Sequence, residues 1–99
     1  MAEQRGSVSL KSFTKWPFKD DFEIRVEQGQ VVWAKCKFCS VILRETYINE
    51  AKRRGLKGKA LSGTVSYSDG VTYIHRTNFA KHVGDAKSLH SWAKNRVGG

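Results

Sequence analysis

Two cysteines and three histidines are the residues of this 99-residue chain whose types and spacing could do chemistry. Cys36 and Cys39 stand two residues apart in Cys36-Lys37-Phe38-Cys39. Such a pair brings two thiolates within reach of one metal ion, and Zn2+ is the usual guest. A tetrahedral site then needs two more ligands, and His75, His82 and His90 are the candidates. On an unbroken helix His82 and His90 would lie about 12 Å apart along the axis. Both can reach one ion only if the helix breaks between them, and Gly84-Asp85 stands where a break fits. His75 with His82 is the competing pair, although His75 sits at a strand end beside Arg76, where it can equally face phosphate. The spacing therefore favours Cys36, Cys39, His82 and His90, with His75 as the alternative to His90.

Other uses of the cysteines fit less well. A thioredoxin-type pair opens a helix after a strand in a βαβ setting, which this sequence lacks. A disulfide across two residues would close almost no loop. Two cysteines with two histidines would also close the metal's coordination sphere, leaving no position for a reactive water. No Ser-His-Asp order, phosphate-cradling glycine loop or paired acidic cluster is present, and Asp20, Asp21 and Glu23 read as a solvated turn. The expectation is a binding module and not an enzyme.

The elements that must position these residues follow from the pattern. Residues 1–12 read as a disordered tail, and Phe13, Trp16, Phe18 and Phe22 then crowd around Pro17 as rings that must pack on the folded part. Phe22-Glu23-Ile24-Arg25-Val26 alternates as a half-buried strand does, residues 27–30 read as a turn, and residues 31–36 form a second strand. Ser40-Val41-Ile42-Leu43-Arg44 reads as a further strand, which puts the cysteines at a hairpin tip. Residues 46–56 suit a short helix. Residues 64–67 and 71–74 flank Asp69-Gly70, a hairpin signal. From Thr77, a candidate N-cap, Phe79, Val83, Ala86, Leu89 and Ala93 mark one helical face. Residues 97–99 read as a flexible end, and Gly98-Gly99 reads as a cut end, which leaves open a longer native chain.

Charge adds the expected class of partner by its distribution. The chain has 18 Lys+Arg against 9 Asp+Glu, a net charge of +9. Residues 1–30 are balanced, five against five, so the whole excess lies in residues 31–99. A field of this density favours a polyanion, most often nucleic acid. Lys52, Arg53, Arg54, Lys57 and Lys59 suit phosphate contacts or a nuclear localisation signal. Asn78, beside Arg76 at a helix start, suits base reading, because Asn and Arg pair bidentately with adenine and guanine. Tyr67, Tyr73 and Trp92 read as core. No apolar stretch is long enough for a spanning helix, and the first ten residues lack the apolar run of a secretory signal. A soluble, intracellular chain is expected.

Phe13, Trp16 and Phe18, then Trp33-Ala34-Lys35-Cys36-Lys37-Phe38-Cys39, then Thr77-Asn78-Phe79-Ala80-Lys81-His82 with a later His90, resemble BED-type zinc fingers and the related fingers of hAT-transposase-derived proteins. The resemblance spans about residues 13–94. It implies that Cys36, Cys39, His82 and His90 hold zinc, that Trp16, Phe18 and Trp33 form the aromatic core, and that Arg76 and Lys81 meet DNA. Family members have a shorter stretch between cysteines and histidines, which makes residues 44–75 an insertion with its own hairpin. Matrin-type fingers, which bind RNA, are a second resemblance.

The expectation is thus a small zinc-stabilised α+β finger over residues 13–96, a β-hairpin with Cys-x-x-Cys followed by a histidine-bearing helix, with an inserted second hairpin. Its expected role is zinc-dependent binding of double-stranded DNA in the nucleus, within a transcription-regulatory or transposase-derived protein. The alternatives are a protein-interaction zinc module and a matrin-like RNA-binding finger. Neither a membrane nor a small-molecule substrate is expected.

Overall fold

The computed structural model describes residues 6–84 and 89–98. Alternating Phe22-Glu23-Ile24-Arg25 does form a strand, β2 (Phe22–Glu27), paired antiparallel with β3 (Gln30–Cys36). The two-residue turn between them has Gln28 and Gly29 at φ 53° and 75°. Two successive positive φ angles match the twist of a tight hairpin. Phe22↔Cys36 and Ile24↔Ala34 share the face turned to the core, whereas Glu23↔Lys35 and Arg25↔Trp33 share the outer face; the register shifts between Arg25 and Val26, and Val26, paired with buried Val31, is exposed.

The segment before the hairpin is part of the fold from Gly6 onward. β1 (Val8–Ser9) pairs with the free edge of β3, giving the order β1-β3-β2. Helix α1 (Leu10–Phe13) follows, capped by the Ser9 hydroxyl, which accepts from the Ser12 amide. The disordered tail expected over residues 1–12 therefore does not hold for 6–12, and residues 1–5 lie outside the described residues. The reason is a backbone tie that composition does not reveal: Gly6 N–H donates to the Thr72 carbonyl at 3.1 Å and Ile74 N–H to the Gly6 carbonyl at 2.8 Å.

Past β3 the chain departs from expectation twice. Residues 40–44 are not a strand; a 3-10 turn over Cys39–Val41 leads into α2 (Arg44–Arg53). Both sides of β3 are already taken, by β2 and by β1 with Val71, so β3 has no free edge on which residues 40–44 could return beside it. The cysteines consequently lie at the end of the hairpin opposite its tip. The second hairpin is also absent: α3 (Gly58–Asp69) runs through residues 64–67 and ends at Gly70, whose φ is 110°. Asp69-Gly70 stops a helix instead of turning a hairpin, because a glycine with positive φ serves either end equally well. Val71 then exchanges two hydrogen bonds with Ala34, at 2.7 and 3.0 Å. Residues 44–75 are thus two helices and a short return to the sheet.

Helix α4 (Arg76–Gly84) begins one residue before Thr77, its Phe79 N–H donating to the His75 carbonyl at 3.1 Å. Helix α5 (Leu89–Gly98) is the next element described, and the break expected at Gly84-Asp85 runs into residues 85–88, which are not. Asp85 and Ala86 lie outside the described residues. Phe79, fully buried, is the hub on which the sheet and helices converge. Its ring meets those of Phe13, Trp16, Phe18, Phe22 and Tyr67 at centroid distances of 4.7 to 6.5 Å. Trp33, expected among these rings, instead lies half-buried on the outer face with the Arg25 guanidinium 5.1 Å over it. Its indole leans on Gly70 so closely that a Cβ there would fall 2.4 Å from Nε1. Among the described residues no helix is long and apolar enough to cross a membrane.

Candidate metal centre

Four elements each contribute one side chain to a single buried point. Cys36 ends β3, Cys39 opens the 3-10 turn, His82 lies on the buried face of α4 and His90 on that of α5. Their ligand atoms all lie within 4.8 Å of one another. Cys36 Sγ is 3.3 Å from His90 Nδ1, and Cys39 Sγ is 3.5 Å from His82 Nε2. Adjacent sulfur and nitrogen ligands of a tetrahedral zinc ion stand about 3.6 Å apart. Two thiols and two imidazoles are also the donor set that suits zinc. The chemistry and spacing of the cluster therefore fit a metal ion. His75 is outside it, exposed and stacked on Tyr73 at 5.4 Å.

Backbone geometry supports charge at this point. The Cys39 amide donates to Cys36 Sγ at 3.4 Å, an orientation that offsets thiolate charge. The thiols act as one pair: the hydrogen bond to Cys39 lowers the Cys36 pKa against burial, with help from His82 and His90, while the same bond and burial raise that of Cys39. Burial lowers the His82 pKa, outweighing the Cys36 thiolate. Burial opposes charge on His90 too, but Cys36 and then Asp21 overcome it, and its pKa is raised.

Asp21 is the residue that motif reading missed. Its Oδ2 lies 3.0 Å from His90 Nε2, and its Oδ1 3.6 Å from Lys94 Nζ. A carboxylate on the second nitrogen of a ligating imidazole fixes the tautomer and raises the basicity of the first. The signal was the strand register: Phe22 pairs with Cys36, so the residue before Phe22 falls beside the metal centre, and its carbonyl accepts from the Lys37 amide at 3.0 Å. Tyr67 was expected in the core, and its ring stacks on His82 at 4.5 Å. Burial drives its pKa up to about 12, so it stays a neutral phenol.

The residues expected to meet nucleic acid fall into two groups. Arg76, Asn78 and Lys81 are exposed on α4, whose other face carries Phe79 and His82 inward. The basic run is not a loop: Lys52 and Arg53 are on α2, Arg54 caps it, Lys57 caps α3 and Lys59 lies on α3. Within it, Arg53 and Arg54 both bond to Glu50. No family model, curated protein or solved structure matches the chain.

Proposed function

We propose that the chain is a zinc-dependent DNA-binding module of the BED or hAT-associated kind, working in the nucleus as part of a transcription-regulatory or transposase-derived protein. The observation that carries this reading is the division of α4. One face is committed to the metal centre through His82 and to the core through Phe79, while Arg76, Thr77, Asn78, Ala80 and Lys81 stay exposed. A short helix anchored from behind by a metal and presenting Arg, Asn and Lys outward suits the major groove, where Asn78 and Arg76 read base edges and Lys81 meets phosphate. Lys52, Lys57 and Lys59, all exposed, add to the positive field that draws a polyanion. Four protein ligands would fill the coordination sphere of zinc, which suits a structural metal and a binding role better than catalysis.

The test is titration of the zinc-loaded chain with duplex DNA, single strands and RNA at several salt concentrations. Preference for the duplex with a steep salt slope is the expected result. Asn78→Ala should relax discrimination between sequences, while Lys81→Ala should weaken all duplexes alike. Preference for RNA would move the reading to a matrin-like finger. No measurable binding to any nucleic acid at low salt would leave a protein-interaction module.

A further inference from the structure

We infer that the free edge of β2 is a self-association surface, on which a second copy of this chain lays its own β2 antiparallel about a two-fold axis at Ile24. Strand β2 is outermost in the order β1-β3-β2, and the direction of its hydrogen-bonding groups follows from what lies across the sheet. Ala34, which stands opposite Ile24, exchanges both of its backbone hydrogen bonds with Val71 on the far side of β3. Ile24 and Ala34 are therefore a non-bonded pair of the ladder, and the N–H and C=O of Ile24 point away from β3. Alternation turns the groups of Val26 and the Phe22 carbonyl the same way, while the Phe22 amide is already donated to the Lys19 carbonyl. Among the described residues no backbone hydrogen bond reaches Ile24 or Val26 from outside the sheet.

Edge strands are ordinarily guarded by a bulge, a proline or charge. The irregularity of this hairpin lies on the other strand: Arg25 pairs with Trp33 and Val26 with Val31, so the extra residue is Val32 of β3 and β2 runs unbroken. Strand β2 has no proline, and its charges stand symmetrically about Ile24 in Phe22-Glu23-Ile24-Arg25-Val26. A two-fold axis at Ile24 sets Glu23 opposite the partner subunit's Arg25, and Arg25 opposite the partner subunit's Glu23, on the exposed outer face. Arg25 is already ordered by its stacking 5.1 Å over Trp33, so it loses little further freedom there. Ile24 exchanges hydrogen bonds with the partner subunit's Ile24, and the Val26 amide donates to the partner subunit's Phe22 carbonyl. Val26, apolar yet 40% exposed, is covered in the process. Beyond the paired residues Glu27 falls opposite Asp21, whose carboxylate is taken by His90 and Lys94. Moving the axis to Glu23 or to Arg25 would set like charges face to face, so charge selects the register. An axis at Val26 would pair Arg25 with Glu27, but Gln28, at φ 53°, has left the strand and could not extend the ladder.

The inference does not rest on the proposed function, because it is read without nucleic acid; a two-fold pair presents two copies of α4, so a dimer that binds DNA would read an inverted repeat. The experiment is sedimentation equilibrium of the zinc-loaded chain over a wide concentration range, with amide hydrogen exchange measured at both ends of it. Salt at about 0.15 M, where charges are screened over about 8 Å, weakens the repulsion between two chains of net charge +9. The mass should rise to that of a dimer with concentration, and the Ile24 and Val26 amides should gain protection in step with it. Glu23→Arg, at an exposed position, should weaken association about 10-fold, because opposite-charge pairs become like-charge pairs. Adding Arg25→Glu to that variant should restore the dimer, which a merely structural effect of either change would not do. A dimer that forms while no nucleic acid binds would uphold the edge and overturn the DNA reading. A dimer indifferent to Glu23→Arg, or one whose Ile24 and Val26 amides stay unprotected, would overturn the edge and leave the DNA reading standing. A monomer at every concentration up to about 1 mM would overturn the edge as well.

Discussion

His90 and His82 reach the same four-residue cluster from opposite kinds of surroundings. His90 has its second ring nitrogen on Asp21, which also meets Lys94, so a chain of charged and polar groups backs it. His82 has no hydrogen-bond partner for Nδ1 among the described residues and is held flat against Tyr67, with Phe22 5.9 Å away. Both imidazoles pack on Phe22, and His90 on Phe38 as well, but among the described residues only His90 has a polar partner on its second nitrogen. The difference teaches that a single metal centre can be disturbed by two unrelated routes, and that each route predicts its own set of sensitive residues.

The largest effect should come from removing what both sides share. Structural zinc in finger peptides contributes about 10–16 kcal/mol of apparent binding free energy near neutral pH, which is as much as the whole stability of a typical domain. Chelation, or Cys39→Ala, should therefore abolish cooperative thermal unfolding and collapse the dispersion of α5 amide resonances. A cooperative melt that survives complete metal removal would mean that the aromatic side alone holds the fold.

Phe79→Ala should come next and act on the His82 side. Phe79 is fully buried against five other rings, including Tyr67. Truncating such a side chain costs about 3–5 kcal/mol. Urea unfolding of the zinc-loaded protein measures this, and the His82 ring resonances should move while those of His90 stay. Equal movement of both would erase the distinction between the two sides.

Asp21→Ala tests the His90 side. Losing a carboxylate behind a ligating imidazole typically weakens metal binding about 10- to 100-fold. Competition with a chelator should show that loss, and Asp21→Asn should recover part of it, because the amide oxygen still accepts from His90 Nε2. Unchanged affinity in Asp21→Ala would make packing sufficient for both imidazoles.

The same division explains what was legible in the sequence. Cys36-x-x-Cys39, the alternation of β2 and the crowd of rings from Phe13 to Phe22 carry their chemistry in residue type and short spacing, and each has its counterpart in the structure. Asp69-Gly70 was ambiguous because the same positive-φ glycine closes a hairpin or a helix, and only the burial of Thr64, Val65 and Tyr67 on one face of α3 decides for the helix. Gly6 and Asp21 were illegible for another reason. Their partners lie far along the chain, at Thr72 and His90, and no local pattern marks a tie made through the backbone or through strand register.

The smallest effect expected is at Tyr47, on the side of the centre that lacks polar backing. Its hydroxyl is buried with no hydrogen-bond partner among the described residues, yet it lies near enough to Cys39 to lower the pKa of that thiol. Burial, and then the Cys39 charge, raise the pKa of Tyr47 itself, so the group remains an O–H donor beside sulfur. Tyr47→Phe keeps the ring and its packing on Trp92 while removing only that donor. A hydroxyl beside a thiolate without a formed hydrogen bond contributes at most what one such bond does, about 0.5–1.5 kcal/mol net, so zinc affinity should fall by at most about 10-fold, less than for Asp21→Ala. The same chelator competition reads both variants. A loss at Tyr47 exceeding that at Asp21 would invert the comparison, making a hydroxyl on Cys39 the stronger electrostatic support and the carboxylate on His90 the weaker.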